Sequence, residues 1–349
     1  MSETMLAAVL HGIKDLRVDE CAVPELEPGK VLVRMRRAGI CGSDIHYFHE
    51  GRFGRFAVTA PFILGHEASG EVLAVAADVR APAVGARVAI NPARSCGFCD
   101  FCRSGRINLC RYCVMRGSAS TKPPTHGLFS QCAVVGAEQC HLLPDSVDDA
   151  LGAMIEPFAV GVHAVHRAGS VAGRKVLVTG GGPIGLLTLI AAKAYGANPV
   201  VLSDPVPSRR AMAMALGADA VLDPGTAVQD QVAALTGDGF DIVFEASGAV
   251  PALRQAFEVL RRGGQMVQIG VFSAEEISLP VNQLLIGEFQ FLGSFRYGPV
   301  FDEAIRLVAS NRVDLRPLIS RVFPLREANA ALTLACAKND AVKVQIDLT

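Results

Sequence analysis

Cys96, Cys99, Cys102 and Cys110 stand in the stretch CGFCDFCRSGRINLC with the spacing Cys-x2-Cys-x2-Cys-x7-Cys. No other feature constrains this chain as tightly. Thiolates placed so closely wrap one tetrahedral zinc, because each short gap lets the backbone curl round the ion. Four thiolates leave no open coordination position, so such a site is structural. Disulfide pairing is the competing explanation, and it needs an oxidising compartment. The opening MSETMLAAVL carries an early acidic residue and too short an apolar run for a secretory leader, which favours metal. Cys113, close behind Cys110, competes as fourth ligand. Cys21, Cys132, Cys140 and Cys336 are scattered and read as buried thiols.

A chain of 349 residues suggests two domains, and 50% hydrophobic residues fill sizeable cores. A net charge of −1 gives no basic footprint for nucleic acid. The longest apolar stretch, VLVTGGGPIGLLTLIAA, is interrupted by consecutive glycines and a proline. It therefore reads as a buried strand, a turn and a helix start, not as a membrane span. The expectation is a cytoplasmic protein with no membrane partner.

Two rhythms divide the chain. Up to about Ala150, short β-branched segments such as VLVRMRRAG, ASGEVLAVAADV and ARVAINPA are broken by Gly and Pro, as strands are. From Gly173 onward, strand alternates with helix. KVLVTG, PVVLSD, AVLD, DIVFEAS and QMVQIG read as strands; PIGLLTLIAAKAYG, RRAMAMALGA and PALRQAFEVLRRG read as helices. Such alternation predicts a doubly wound parallel sheet, hence an α/β fold. After about Phe295 the chain leaves that sheet. FDEAIRLVASNRV reads as a helix, and the strand AVKVQIDL returns to the first domain. The expected domains are 1–155 with 297–349, and 156–296.

Gly180, Gly182 and Gly185 make Gly-x-Gly-x-x-Gly, with Pro183 and Ile184 inside the motif. The motif follows a predicted strand and opens a predicted helix, the context that a dinucleotide fingerprint requires. The helix N-terminus offers its positive end to phosphate. Asp204 ends the next strand, where a carboxylate accepts hydrogen bonds from ribose hydroxyls. That favours NAD, while Arg209 and Arg210 leave NADP open. The plainer alternatives are an ordinary glycine turn and a solvated strand-end acid.

A second, mixed set of ligand types lies in two glycine-flanked loops: Cys41 in GICGSDIH, and His66 with Glu67 in GHE. Cys, His and carboxylate all bind zinc, although a lone Cys or His is more often structural. Glu156, in MIEPFAV at the expected domain junction, is a further suspect; its alternative is a surface acid capping a helix.

With these motifs in order, the chain resembles the zinc-dependent medium-chain alcohol dehydrogenases over nearly its whole length. The matches are GICGSDIH, GHEASG, the four-cysteine lobe, Glu156-Pro157 and GGGPIG. The Glu-Pro pair is similar to the polyol branch, and GSFRY at 293–297 with the AVKVQ ending inclines toward its sugar-acid members. The resemblance implies a GroES-like catalytic domain beside a Rossmann domain, in a homo-oligomer, dimer or tetramer. It implies catalytic zinc on Cys41, His66 and Glu67, with Glu156 binding directly or through water. Asp44 would orient the liganding histidine. Ser43 would receive the substrate proton and His46 would end the relay. Tyr47, Arg296 and Tyr297 would contact a small sugar acid or polyol. Ala76, and GARV at 85–88, depart from the family pattern in the scaffold only. The implied reaction moves hydride from a secondary alcohol to NAD(P). A zinc-free quinone reductase would lack the thiolate lobe and GHE, and a non-enzymatic relative would have lost ligands. A threonine dehydrogenase shares the ligands.

Two complete ligand sets predict two zinc ions per chain, in chemically distinct sites. Metal analysis of freshly purified, active protein counts them; one zinc or none contradicts this reading.

Overall fold

The computed structural model describes residues 4–226, 228–273, 276–337 and 341–349. The chain divides into two compact units, Met1–Glu156 with Phe301–Thr349, and Pro157–Val300.

The first unit is built on strands. Val31, Val33, Met35 and Ala38 of Lys30–Gly39 are fully buried, and the intervening arginines reach outward. That alternation is the period of a pleated strand with one face on a core. Lys30–Gly39 pairs antiparallel with Glu67–Val75, Cys132–Gly136 and the C-terminal Lys343–Asp347. Lys343–Asp347 also runs parallel to Ile319–Pro324. Among the described residues these strands belong to one seven-stranded sheet, which Arg87–Ile90 and Cys140–Leu142 complete. The return of the last strand to the first domain is as the sequence suggests.

The second unit holds a six-stranded sheet among the described residues. Its order is Ala220–Leu222, Val200–Ser203, Val176–Thr179, Phe240–Glu245, Leu260–Gln268 and Gln290–Gly293, with every pairing parallel. The three middle strands are buried along their whole length, as strands covered by helices on both faces must be. The chain enters at Val176–Thr179, builds outward on one side, then crosses to Phe240–Glu245 and builds on the other. The crevice at such a reversal is where doubly wound sheets bind ligands.

Three local readings differ from the structure. The helix expected through PALRQAFEVLRRG stops at Val259. Leu260 already pairs with Phe240, and Gly263 takes φ 72°, so the chain turns into the long strand Leu260–Gln268. The edge strand Gln290–Gly293 was not expected, because its four residues carry no clear alternation. MIEPFAV lies inside a helix of 20 residues, Asp149–Ala168, with Pro157 in its interior. Proline normally signals a helix end, which concealed this one. Among the described residues, no helix is long and apolar enough to cross a membrane.

At the glycine turn Gly180 has φ 95°, and a Cβ on Gly185 would run into the Gly180 carbonyl oxygen. Gly185→Ala must push the helix Pro183–Ala194 off its strand. Overpacking of this kind costs about 1–3 kcal/mol. We expect a lower Tm and weaker dinucleotide binding, read by thermal unfolding and NADH titration.

Candidate active site

The strand Lys30–Gly39 delivers Cys41 to the N-cap of the helix Gly42–Glu50. Asp44, in the first turn of that helix, is fully buried. One of its oxygens accepts a hydrogen bond from the Cys41 amide at 2.9 Å, the other from the Gly65 amide at 3.1 Å. A single carboxylate thus ties together the two loops that carry Cys41 and His66. His66 Nδ1 lies 3.7 Å from Asp44 Oδ1 and is buried without a hydrogen-bond partner. Burial pushes the Asp44 carboxyl above its ordinary pKa, against the opposing charge of His66. Burial also disfavours a charged His66, yet Asp44, Cys41 and Glu156 together hold its pKa well above the usual histidine value. Surroundings that draw a proton onto a buried imidazole favour a cation.

Glu67 opens the strand Glu67–Val75 directly opposite Gly39, where a Cβ would collide with its carboxylate. The glycine leaves the room that the acid occupies. Lys343, in the C-terminal strand, is buried as deeply. Its Nζ donates to both Glu67 oxygens at 2.8 Å and to the Ile40 carbonyl at 3.0 Å. Burial works against the ammonium, but the charges of Glu67 and Cys41 prevail and raise its pKa. The sulfur of Cys41 and the ligand atoms of His66 and Glu67 lie within 4.8 Å of one another. The donor types and this spacing fit zinc. Glu156 is not in that compact set. It is 5% exposed, on an interior turn of its helix, and its charge acts on both His66 and Lys343. It is therefore no surface cap.

Cys96, Cys99, Cys102 and Cys110 likewise gather their sulfurs within 4.8 Å, and Cys113 stands outside the set. The amides of Cys96 and Tyr112 point at the Cys110 sulfur at 3.2 and 3.3 Å, and that of Cys99 at Cys96 at 3.4 Å. Amides of Cys102 and Arg111 hold the Cys99 thiol below its ordinary pKa. Hydrogen bonds of this kind support thiolates, which is what a closed zinc site needs.

Ser43 is half-buried on the first turn of the helix Gly42–Glu50. His46 is exposed, with Nδ1 2.8 Å from Glu50. Tyr47 lies on the same helix. It is 1% exposed, stands edge-on to Phe62, accepts the Ala119 amide at 3.1 Å and lies 3.3 Å from the Ser118 hydroxyl. Its place on the helix turns it into the core, where its hydroxyl serves the Ala119 amide. Arg296 and Tyr297 belong to the other unit. Arg296 takes φ 52° and lays its guanidinium over the Phe295 ring at 4.9 Å, while Tyr297 is buried.

In that unit Asp204 is 3% exposed. Its carboxylate accepts the Gly181 amide at 2.6 Å and the Val206 amide at 2.8 Å, clamping the glycine turn to the next strand. Arg210 is committed to the Asp204 carbonyl and to Asp223. Arg209 stands 3.6 Å from the Asp204 carboxylate and is partly exposed. A Cβ on Gly182 would meet nothing within 4 Å, so the turn is open where a pyrophosphate would lie. Glu245, which the sequence reading passed over, ends its strand fully buried and accepts the Ser247 and Gly248 amides at 2.9 and 3.1 Å. Ser247 in turn walls Gly180. The signal was available: like Asp204, Glu245 is an acid that ends an apolar strand.

Known proteins resemble this chain in sequence and in fold. Residues 27–145 match the alcohol dehydrogenase GroES-like domain, and residues 183–310 match the zinc-binding dehydrogenase domain. Sorbitol dehydrogenase of Bacillus subtilis (strain 168) is 35% identical over 99% of this chain and 97% of its own. The crystal structure of L-idonate 5-dehydrogenase from Escherichia coli K-12 superposes with a TM-score of 0.94 at 35% identity, covering 99% of both chains. A zinc-binding dehydrogenase structure from Sinorhizobium meliloti 1021, bound to NADP, gives 0.90 at 34% identity over 99% of both chains. The chain belongs to the zinc-dependent medium-chain alcohol dehydrogenases, in their polyol branch. It is an oxidoreductase acting on CH–OH groups with zinc and NAD(P).

Tyr47→Phe separates scaffold from substrate contact. Loss of the hydroxyl strands the buried Ala119 amide, a penalty of about 1–3 kcal/mol. Chemical denaturation should register that loss while the KM for the alcohol stays unchanged.

Proposed function

We propose that the protein oxidises a secondary alcohol of a sugar acid or polyol, most favourably L-idonate to 5-keto-D-gluconate, with NAD preferred and NADP accepted. The donor set Cys41–His66–Glu67, with the Glu156 charge close by, carries the chemical part of this reading. In it Cys41, His66 and Glu67 would hold the catalytic zinc, with Glu156 binding directly or through water. Zinc held there supplies Lewis acidity that lowers the pKa of the substrate hydroxyl. Ser43 takes the hydroxyl proton as it gives up its own, and the relay runs by way of the nicotinamide ribose and His46, exposed midway along the same helix, to solvent. Gly180, Gly182, Pro183, Ile184 and Gly185 would hold NAD(P), which would supply the hydride acceptor. Asp204 supports NAD, because its carboxylate keeps lone pairs for ribose hydroxyls after accepting two amides, and repels a ribose phosphate. Arg209 beside it supports residual use of NADP.

The preference for a sugar acid rests on GSFRY and on Arg296. A guanidinium offers a planar fork that grips a carboxylate by two charge-assisted hydrogen bonds. A neutral polyol uses the same fork less fully, as in a sorbitol or xylitol dehydrogenase. The likeness to sorbitol dehydrogenase over nearly the whole chain supports that second reading. L-Threonine is the third substrate to weigh.

Initial rates with L-idonate, sorbitol, xylitol and L-threonine, each with NAD and NADP, test the assignment. Efficient turnover of sorbitol or xylitol with none of L-idonate moves it to a polyol dehydrogenase. Arg296→Lys keeps the charge and loses the fork. It should lower kcat/KM for L-idonate by about tenfold or more, the worth of a charged hydrogen bond, and spare sorbitol.

A further inference from the structure

Lys343 takes no part in the chemistry described so far, yet it is 2% exposed and directs its ammonium at Glu67 and the Ile40 carbonyl, beside the metal-site loops. A buried ammonium is costly and persists only where opposite charge surrounds it. Here that charge is the candidate ligand set: Glu67 in direct contact, with Cys41 and Glu156 also acting on the lysine. With Asp44, the pocket collects three buried carboxylates and a thiol around a place for one dication. So many anions would hold zinc firmly and drain its positive charge. Lys343 works in the opposite direction. It engages both oxygens of Glu67, so a metal must share that carboxylate with the ammonium.

We propose that Lys343 is a positioning residue that sets the charge of the catalytic metal site. It fixes Glu67 against Gly39 and offsets one of its neighbouring negative charges. The site thereby trades affinity for zinc against the power of the bound ion to polarise the substrate hydroxyl. The inference rests on Cys41, His66 and Glu67 being the catalytic zinc ligands.

The test is made on zinc-loaded full-length protein equilibrated against buffers of stepped free zinc, with bound zinc counted by atomic spectroscopy. Lys343→Gln removes the charge and keeps donors for Glu67 and Ile40. A unit charge a few ångströms from an ion in a protein interior shifts its equilibrium strongly, so this variant should hold the Cys41–His66–Glu67 zinc about tenfold tighter or more. Its kcat should fall with little change in KM. Lys343→Arg keeps the charge and should restore both values toward wild type. Should Lys343→Gln not fold, Glu67→Gln is compared with the double variant Glu67→Gln/Lys343→Gln, which buries neither charge. Loss of the lysine should again tighten zinc. Zinc held no more tightly in the charge-removed variant overturns the inference, because a lysine that only stabilised the fold would not raise metal affinity. A Cys41→Ser variant that loses no zinc relative to wild type is a different failure, that of the ligand assignment itself.

Discussion

A carboxylate out of water needs a partner of opposite charge or a ring of hydrogen-bond donors, because burial otherwise costs several kcal/mol. The metal-bearing unit is organised around that requirement. Glu67 and Asp44 are fully buried and Glu156 nearly so. Asp44 is met by two amides, Glu67 by the ammonium of Lys343. Each solution recruits backbone from a different part of the chain: the loop at Cys41, the turn at Gly65, the C-terminal strand. The acids consequently fix the relative placement of the elements that carry Cys41, His66 and Glu67.

The dinucleotide-binding unit uses the same device without metal. Asp204 and Glu245 each end a buried strand and each accept two backbone amides. One clamps the glycine turn from the side of Val200–Ser203, the other shapes the turn whose Ser247 walls Gly180. A site held by such clamps meets its ligand already formed, which spares it the entropy of ordering loops on binding.

What could be read from the sequence follows the range of the interactions. The thiolate lobe, the glycine turn and Cys41–Asp44 are local patterns, in which a few residues determine one geometry. Most of the alternating strands and helices from Val176 to Gln268 were legible for the same reason, although the helix Val228–Thr236 was passed over. Lys343 was not, because its partner Glu67 lies 276 residues away and a lysine in AVKVQIDL reads as the exposed position of an edge strand. The burial of Tyr47 was not legible either, because resemblance transfers a residue type and not its packing. On the helix Gly42–Glu50 its ring stands edge-on to Phe62 and, like that of His46, lies beside Phe53. Glu156 was singled out for its apolar setting, but Pro157 hid the helix that buries it. Where a helix ends, as at Val259, is decided by strand pairing that local propensity does not carry.

Lys343–Asp347 lies between Lys30–Gly39 and Ile319–Pro324 in the sheet. Its position has a consequence for the order of assembly during synthesis. A ribosome makes Cys41, His66 and the thiolate lobe early, then the whole of Pro157–Val300, and only later the strand that neutralises Glu67. Until Lys343 emerges, the growing chain carries a cluster of acids and thiols with no ammonium among them. Domains made in one continuous piece fold as they leave the tunnel. This one is split, so its metal-bearing half waits on a contact of long sequence separation, the kind that closes slowly. The burial of Glu67 opposite Gly39, which needs the ammonium of Lys343, is therefore a late event in folding.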